Sequence, residues 1–302
     1  MNIYVEIRIR AAMEDLWRLT QVPDLHARWD LRFTDIEYLP RPQEQAPQRF
    51  AYATRIGFGL AIRGGGETVG GCDEVEGGRT SALKFWSDDP KSLIREGAGY
   101  WRYIPTDDGI RFLTSYDYRV RFGALGRAFD ALFFRPLLGW ATAWSFDRLR
   151  LWAEKGVAPS VSLERALIHV LARTGVGFVW LYQGAIPKLI YRHADELAML
   201  RRAGVPSGSE WPVLQLVGWS EVLFGLVFLA PVAARWPYGL TVVLMILATL
   251  GVAVHSPQHL TAAFNPVSLN VLMIALSLVG LWSSRDLPTA RRCLRKMPGE
   301  RP

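Results

Sequence analysis

The chain has 302 residues, half of them hydrophobic, with 35 Lys and Arg against 28 Asp and Glu. Residues 1–156 hold 22 basic and 21 acidic side chains, whereas residues 157–302 hold 13 and 7. The excess positive charge thus lies with the more apolar half, as it does beside a bilayer. Nucleic acid needs a dense basic face instead and is excluded as a partner.

The N-terminus MNIYVEIRIRAAMEDLW alternates and carries acids early, so no signal peptide is expected. Ile3 to Arg10 has the period of a half-buried strand, and Ala11 to Trp29 changes to helical spacing, broken into two helices at Pro23. Phe33–Leu39, Arg49–Ile56, Ala61–Val69, Thr80–Trp86, Ile94–Ile104 and Ile110–Phe122 are predicted strands. Gly64, Gly65, Gly66, Gly70 and Gly71 predict bends or bulges, and Asp107-Asp108-Gly109 a hairpin turn. Leu125 to Glu154 is one long helix, with an interruption at Pro136. Strand, two short helices, about six antiparallel strands and a long helix predict an α+β fold over residues 1–156.

This order, with RWDLRFTDIEYL (Arg28 to Leu39) and WSFDRLRLWAEKG (Trp144 to Gly156), resembles the SRPBCC/START-like helix-grip family, which includes polyketide cyclases. The resemblance implies a curved sheet around the last helix, with a hydrophobic cavity between them. Trp29, Trp101 and Tyr116 are then candidate ligand-binding residues. The helix face Phe129, Phe133, Leu137, Trp140 and Trp144 is expected to form the opposite wall. The plainer alternative is that these aromatics fill a core. No catalytic set emerges, and His26, among acids near a helix end, is expected on the surface. Cys72 and Cys293 have no metal-ligand spacing, so no metal site is expected.

Residues 157–165 are predicted as a hinge, with Ser162 a helix cap. An all-α bundle of four spans follows, within a membrane domain of residues 166–284: about Ala166–Ile186, Val213–Ala230, Tyr238–Val254 and Val267–Trp282. Pro231, Pro237 and Pro266 fall at span ends, and so do Trp211, Trp236 and Trp282, as an aromatic belt would. Residues 285–302 form a basic tail. Its arginines put both termini in the cytoplasm by the positive-inside rule, in a multi-pass protein of the cytoplasmic (inner) membrane.

ARTGVGFVWLYQGAIPKLIY (Ala172 to Tyr191), LRRAGVP (Leu200 to Pro206) and LVGWSEVLFGLVFL (Leu216 to Leu229) resemble the DoxX family of small four-helix membrane proteins. The pattern falls on Arg173, Gly184, Lys188, Gly218 and Glu221, and HSPQHLTAAFNPVSLNVLM (His255 to Met273) fits its DoxX-like branch. Arg173, Lys188, Glu221, His255 and Asn265 are the candidate intramembrane polar residues. Glu221 must face protein or water and is expected near Arg173 or another polar group. His255, His259, Asn265 and Asn270 are expected to cap and bond between helices. No haem, iron–sulfur or flavin motif is present, so no cofactor is expected. The sequence favours a membrane-anchored protein holding a hydrophobic small molecule or lipid. The alternatives are a quinone-linked or cyclase-like enzyme, or a structural subunit with a membrane-protein partner or a second copy.

Overall fold

The computed structural model describes residues 2–43, 46–73, 77–230 and 234–297. Pro231 and Arg301 therefore lie outside the described residues. The chain forms two units, Met1–Ser162 with Pro288–Pro302, and Leu163–Leu287.

The first unit begins with β1 (Ile3–Ile9), α1 (Met13–Gln21) and α2 (Pro23–Trp29). Strands β2 (Asp35–Tyr38), β3 (Arg49–Gly57), β4 (Leu60–Asp73), β5 (Arg79–Trp86), β6 (Ile94–Thr106) and β7 (Gly109–Val120) follow. All seven strands pair antiparallel in the order β1-β7-β6-β5-β4-β3-β2. Then come α3 (Gly123–Phe129), a π-helical turn (Asp130–Phe134) and α4 (Arg135–Lys155). This is the expected α+β helix-grip order. Alternating residues of β1 and β7 turn Val5, Ile7, Ile9 and Phe112 inward, and α4 buries Ala143, Phe146 and Leu149. Phe112 and Phe146 stack with centroids 4.6 Å apart, joining sheet to helix.

The interruption of the long helix is a widened turn. Pro136 has no N–H to give the carbonyl four residues back, and its ring crowds that carbonyl. The preceding turn takes π geometry, with the Arg135 N–H bonded to Asp130 O five residues back.

Two expected boundaries are corrected. Residues 157–165 are not a hinge: α5 (Pro159–Gln183) starts inside them, with proline at a position where no N–H is needed. Arg148 donates to Pro159 O at 2.8 Å, and Ser162 is buried inside the helix rather than capping it. Nor do the described residues of the expected basic tail, 285–297, hang free. Leu294 exchanges two 2.9 Å backbone hydrogen bonds with Glu6, closing the open edge of β1. Asp147 accepts from Thr289 N at 2.8 Å, and Cys293 is buried, its thiol pushed up to about 12 by burial. The unpaired edge and the buried carboxylate needed partners, which charge counting did not register.

The second unit contains most of α5, a second π-helical segment (Gly184–Ile190) around Pro187, α6 (Ala194–Arg202), α7 (Glu210–Leu229), α8 (Trp236–His255) and α9 (Pro266–Ser283). Among the described residues, α7, α8 and α9 are long and apolar enough to cross a membrane. The expected first span falls on α5 and the π segment. It packs Val176 and Trp180 against Phe228, Tyr238 and Met273.

Candidate functional site

Between sheet and helix in the first unit lies a cavity of about 520 Å³. Its sheet wall carries Phe50, Tyr52, Phe85, Trp101 and Tyr116, and its helical wall Phe129, Phe134, Leu137, Leu138 and Ala141. Glycines hollow the sheet. Phe50 pairs with Gly66, Tyr52 with Gly64, Phe85 with Gly97 and Tyr116 with Gly99. A Cβ on Gly64, Gly66 or Gly97 would collide with the ring opposite it, and one on Gly99 with the Cβ of Tyr116. The Tyr52, Phe50 and Phe85 rings therefore lie across the neighbouring strand, and the glycine on that strand leaves the space open.

The polar end is built from α2 and the turn after it. Asp30 is fully buried and accepts from Arg32 Nε at 2.9 Å, Arg32 Nη2 at 2.6 Å and His26 Nε2 at 3.0 Å. Burial alone would raise the Asp30 carboxyl, but the Arg32 guanidinium and the hydrogen bonds outweigh it and hold the group well below the usual carboxylate range. Burial lowers the His26 pKa, the Asp30 contacts only partly opposing it. A neutral His26 that donates Nε2–H to Asp30 keeps Nδ1 as an acceptor. The Arg32 guanidinium also lies 5.4 Å from the Tyr116 ring centre. Thr142 donates to Leu138 O at 2.8 Å, so the Tyr116 hydroxyl, 2.8 Å from Thr142 Oγ1, donates to it. The cluster can orient a ligand hydroxyl or carbonyl at the end of an apolar chamber.

The structure distributes the sequence-predicted residues unevenly. Trp101 and Tyr116 line the cavity. Trp29 is core, its Nε1 donating to Leu19 O at 2.9 Å. Trp144 is buried beneath Arg148, outside the cavity lining. Phe133 and Trp140 are 63% and 43% exposed and face away from it. The π turn explains the shift: one extra residue per turn advances the face, so that Phe129 is followed on the wall by Phe134 and not Phe133. His26 is not on the surface. It lines the cavity, 4.8 Å from the Trp101 ring and 5.1 Å from Trp29. Its charged neighbours hid this, and the one available signal was the close spacing of His26, Asp30 and Arg32.

In the second unit Gly184 and Gly218 abut: a Cβ on Gly218 would lie 3.0 Å from Gly184 O. One turn beyond each glycine, Lys188 and Glu221 meet at 3.0 Å, and Lys188 also reaches Glu196 at 3.2 Å. The polar partner of Glu221 is thus Lys188. Arg173 instead donates to Phe228 O and Ala230 O, carbonyls at the end of α7. Asn265 caps α9, accepting from Ser268 N at 2.9 Å, and Asn270 donates to Thr249 at 3.0 Å, while His255 is exposed.

Residues 177–278 match the DoxX-like family. The uncharacterized membrane protein YndG of Bacillus subtilis strain 168 is 40% identical over 300 residues, covering 97% of each chain. The chain belongs to the same family as YndG, and residues 177–278 are its DoxX-like part. It is a membrane protein, and its N-terminal half carries a helix-grip fold. Solved structures similar to that half include the di-domain ARO/CYC StfQ from the steffimycin biosynthetic pathway (18% identity, 51% of this chain and 50% of that one, TM-score 0.41). Another is a STAR-related lipid transfer protein from Xanthomonas axonopodis (15% identity, 51% and 86%, TM-score 0.38). The helix-grip assignment rests on the strand order and the packing of α4.

Proposed function

We propose that this DoxX-like protein is a membrane-anchored binding protein whose helix-grip domain holds an apolar molecule with a hydroxyl or carbonyl at one end. The observation that carries this reading is the cavity of about 520 Å³ with aromatic and aliphatic walls and the buried Asp30–His26–Arg32 cluster at one end. Roughly 400 Å² of ligand surface removed from water contributes on the order of 10 kcal/mol, against ordering costs of several kcal/mol. That balance supports micromolar affinity with few polar contacts.

The bundle crosses the inner membrane four times, α5 being the first span, with both termini in the cytoplasm. Support comes from the charge asymmetry: Lys155, Arg165, Arg235 and the C-terminal arginines share one side. A reporter fused at Gly208 should read external, and one at the C-terminus cytoplasmic.

The binding test uses the full chain in detergent with a fluorescent quinone analogue. Saturable binding is expected, and Ala141→Trp, which fills the cavity from its helical wall, should abolish it. Absence of saturable binding, or binding unaffected by Ala141→Trp, contradicts the proposal.

A further inference from the structure

The first unit exposes a large apolar surface at one end. The turn between β3 and β4 presents Ile56, Phe58 and Leu60, with Phe58 fully exposed. The helix that follows β7 presents Phe122, Leu125, Leu132 and Phe133, Leu125 being 84% exposed. A chain of hydrogen bonds ties the two segments together. Arg121 donates to Asp89 O at 3.0 Å and to Ser87 O, Ser87 Oγ donates to Arg63 O at 2.5 Å, and Lys91 Nζ to Ala61 O at 3.1 Å.

Three further observations converge on this end. Phe58 and Phe122 both hold left-handed backbone, φ 51° and 65°, a conformation costly for a bulky residue, and neither ring packs into the core. The exposed charges on the turn, the helix and the 87–96 segment that ties them are Arg55, Arg63, Lys91, Arg95, Arg119 and Arg127 against Asp88 and Glu96, and residues 50–66 and 118–146 contain one acid, the buried Asp130. Finally, Ile56, Phe129 and Leu137 are exposed on this surface and also line the cavity, so the cavity wall is continuous with it.

We propose that the turn at Phe58 and the helix from Phe122 to Leu137 dock on the anionic surface of the bilayer. Apolar side chains with a predominantly basic fringe are the pattern that seats a segment at the headgroup boundary, where large phenylalanine rings are stabilised and arginines meet phosphate. A protein partner would leave Phe58 and the arginines needing a complementary acidic pocket, whereas a lipid surface satisfies both. The cavity then opens towards lipid, and an apolar ligand enters without crossing water. The docking stands independently of the cavity reading, and only this loading route rests on it.

The test places an environment-sensitive fluorophore at Phe58→Cys, Leu132→Cys or Asp107→Cys, the last at the opposite end of β6 and β7, in a Cys72→Ser background of the full chain. Each protein is reconstituted in nanodiscs of phosphatidylcholine with phosphatidylglycerol, with nitroxide carried on the lipid. Labels at 58 and 132 should emit blue-shifted light and lose at least half their intensity to the nitroxide, while the label at 107 should do neither. Omitting phosphatidylglycerol should weaken the quenching. Water-like emission at 58 and 132 overturns the proposal. So does a blue shift that persists in detergent without lipid quenching, because the surface is then covered by protein, whether the second unit or another copy. In the loading arm, Phe58→Asp with Leu132→Asp should slow uptake of a bilayer-dissolved quinone probe about tenfold and leave its equilibrium occupancy unchanged. If no protein binds the probe, the cavity reading fails and the quenching result still decides the docking. If the probe binds while the labels stay in water, docking alone fails.

Discussion

Arg32 donates through Nε and Nη2 to both oxygens of Asp30, at 2.9 and 2.6 Å, with both side chains almost wholly withdrawn from water. The pair lies two residues apart in sequence, so the turn after α2 fixes its geometry before any ligand arrives. Truncating one partner leaves a buried, uncompensated charge. Arg32→Met should therefore cost about 3–5 kcal/mol, read as a lowered unfolding midpoint of the first unit. Arg32→Lys should recover only part of this, because an ammonium cannot bridge both carboxylate oxygens.

His26 makes that domain sensitive to mild acid. Its folded-state pKa is depressed by burial, so the unfolded chain takes up the proton first. The stability His26 contributes is complete above about pH 6.5 and is lost as the pH falls from there through the lower folded-state value. Thermal midpoints of the wild type and His26→Gln, measured from neutral pH down to about pH 5, should diverge at the neutral end and converge in acid. Parallel curves would show that His26 does not titrate between the two states.

Glu221 and Lys188 pair across two helices whose backbones approach through Gly184 and Gly218. Glu221→Gln replaces a charged hydrogen bond by a neutral one and should destabilise the second unit by roughly 2 kcal/mol. Glu164→Gln, at an exposed position, should change the midpoint in detergent very little. Equal midpoints for the two variants would contradict the structural role of the pair.

Much of this architecture was legible because it is periodic. Strand alternation and apolar runs gave the order of elements, and the resemblance to the DoxX family marked Lys188 and Glu221, though not their pairing. What escaped notice depends on geometry that no period carries. The π turn before Pro136 moved the cavity wall from Phe133 to Phe134. His26 reads as a surface residue until α2 is seen packed beneath Trp101. Gly64 and Gly66 of β4 read as bends and Gly97 and Gly99 of β6 carried no reading, yet the meaning of all four comes from cross-strand register, which places Tyr52, Phe50, Phe85 and Tyr116 opposite them.

That register gives a further expectation. Gly66→Val would push the Phe50 ring into the cavity and crowd Lys84 O, 2.7 Å from the added Cβ. Probe affinity should fall at least tenfold, and the unfolding midpoint should drop as well. Gly71→Val, on the same strand with its Cβ no closer than 3.5 Å to any atom, should leave affinity unchanged.

The occupied cavity is the central claim, and its contents can be read directly. The full-length protein and the Ala141→Trp variant are purified in the same detergent, extracted with organic solvent and compared by mass spectrometry, which cancels lipid bound loosely to the spans. An apolar molecule bearing a hydroxyl or carbonyl should be present at near-stoichiometric amount in the wild type and depleted at least tenfold in the variant. Identical extracts from two equally folded proteins would contradict the account.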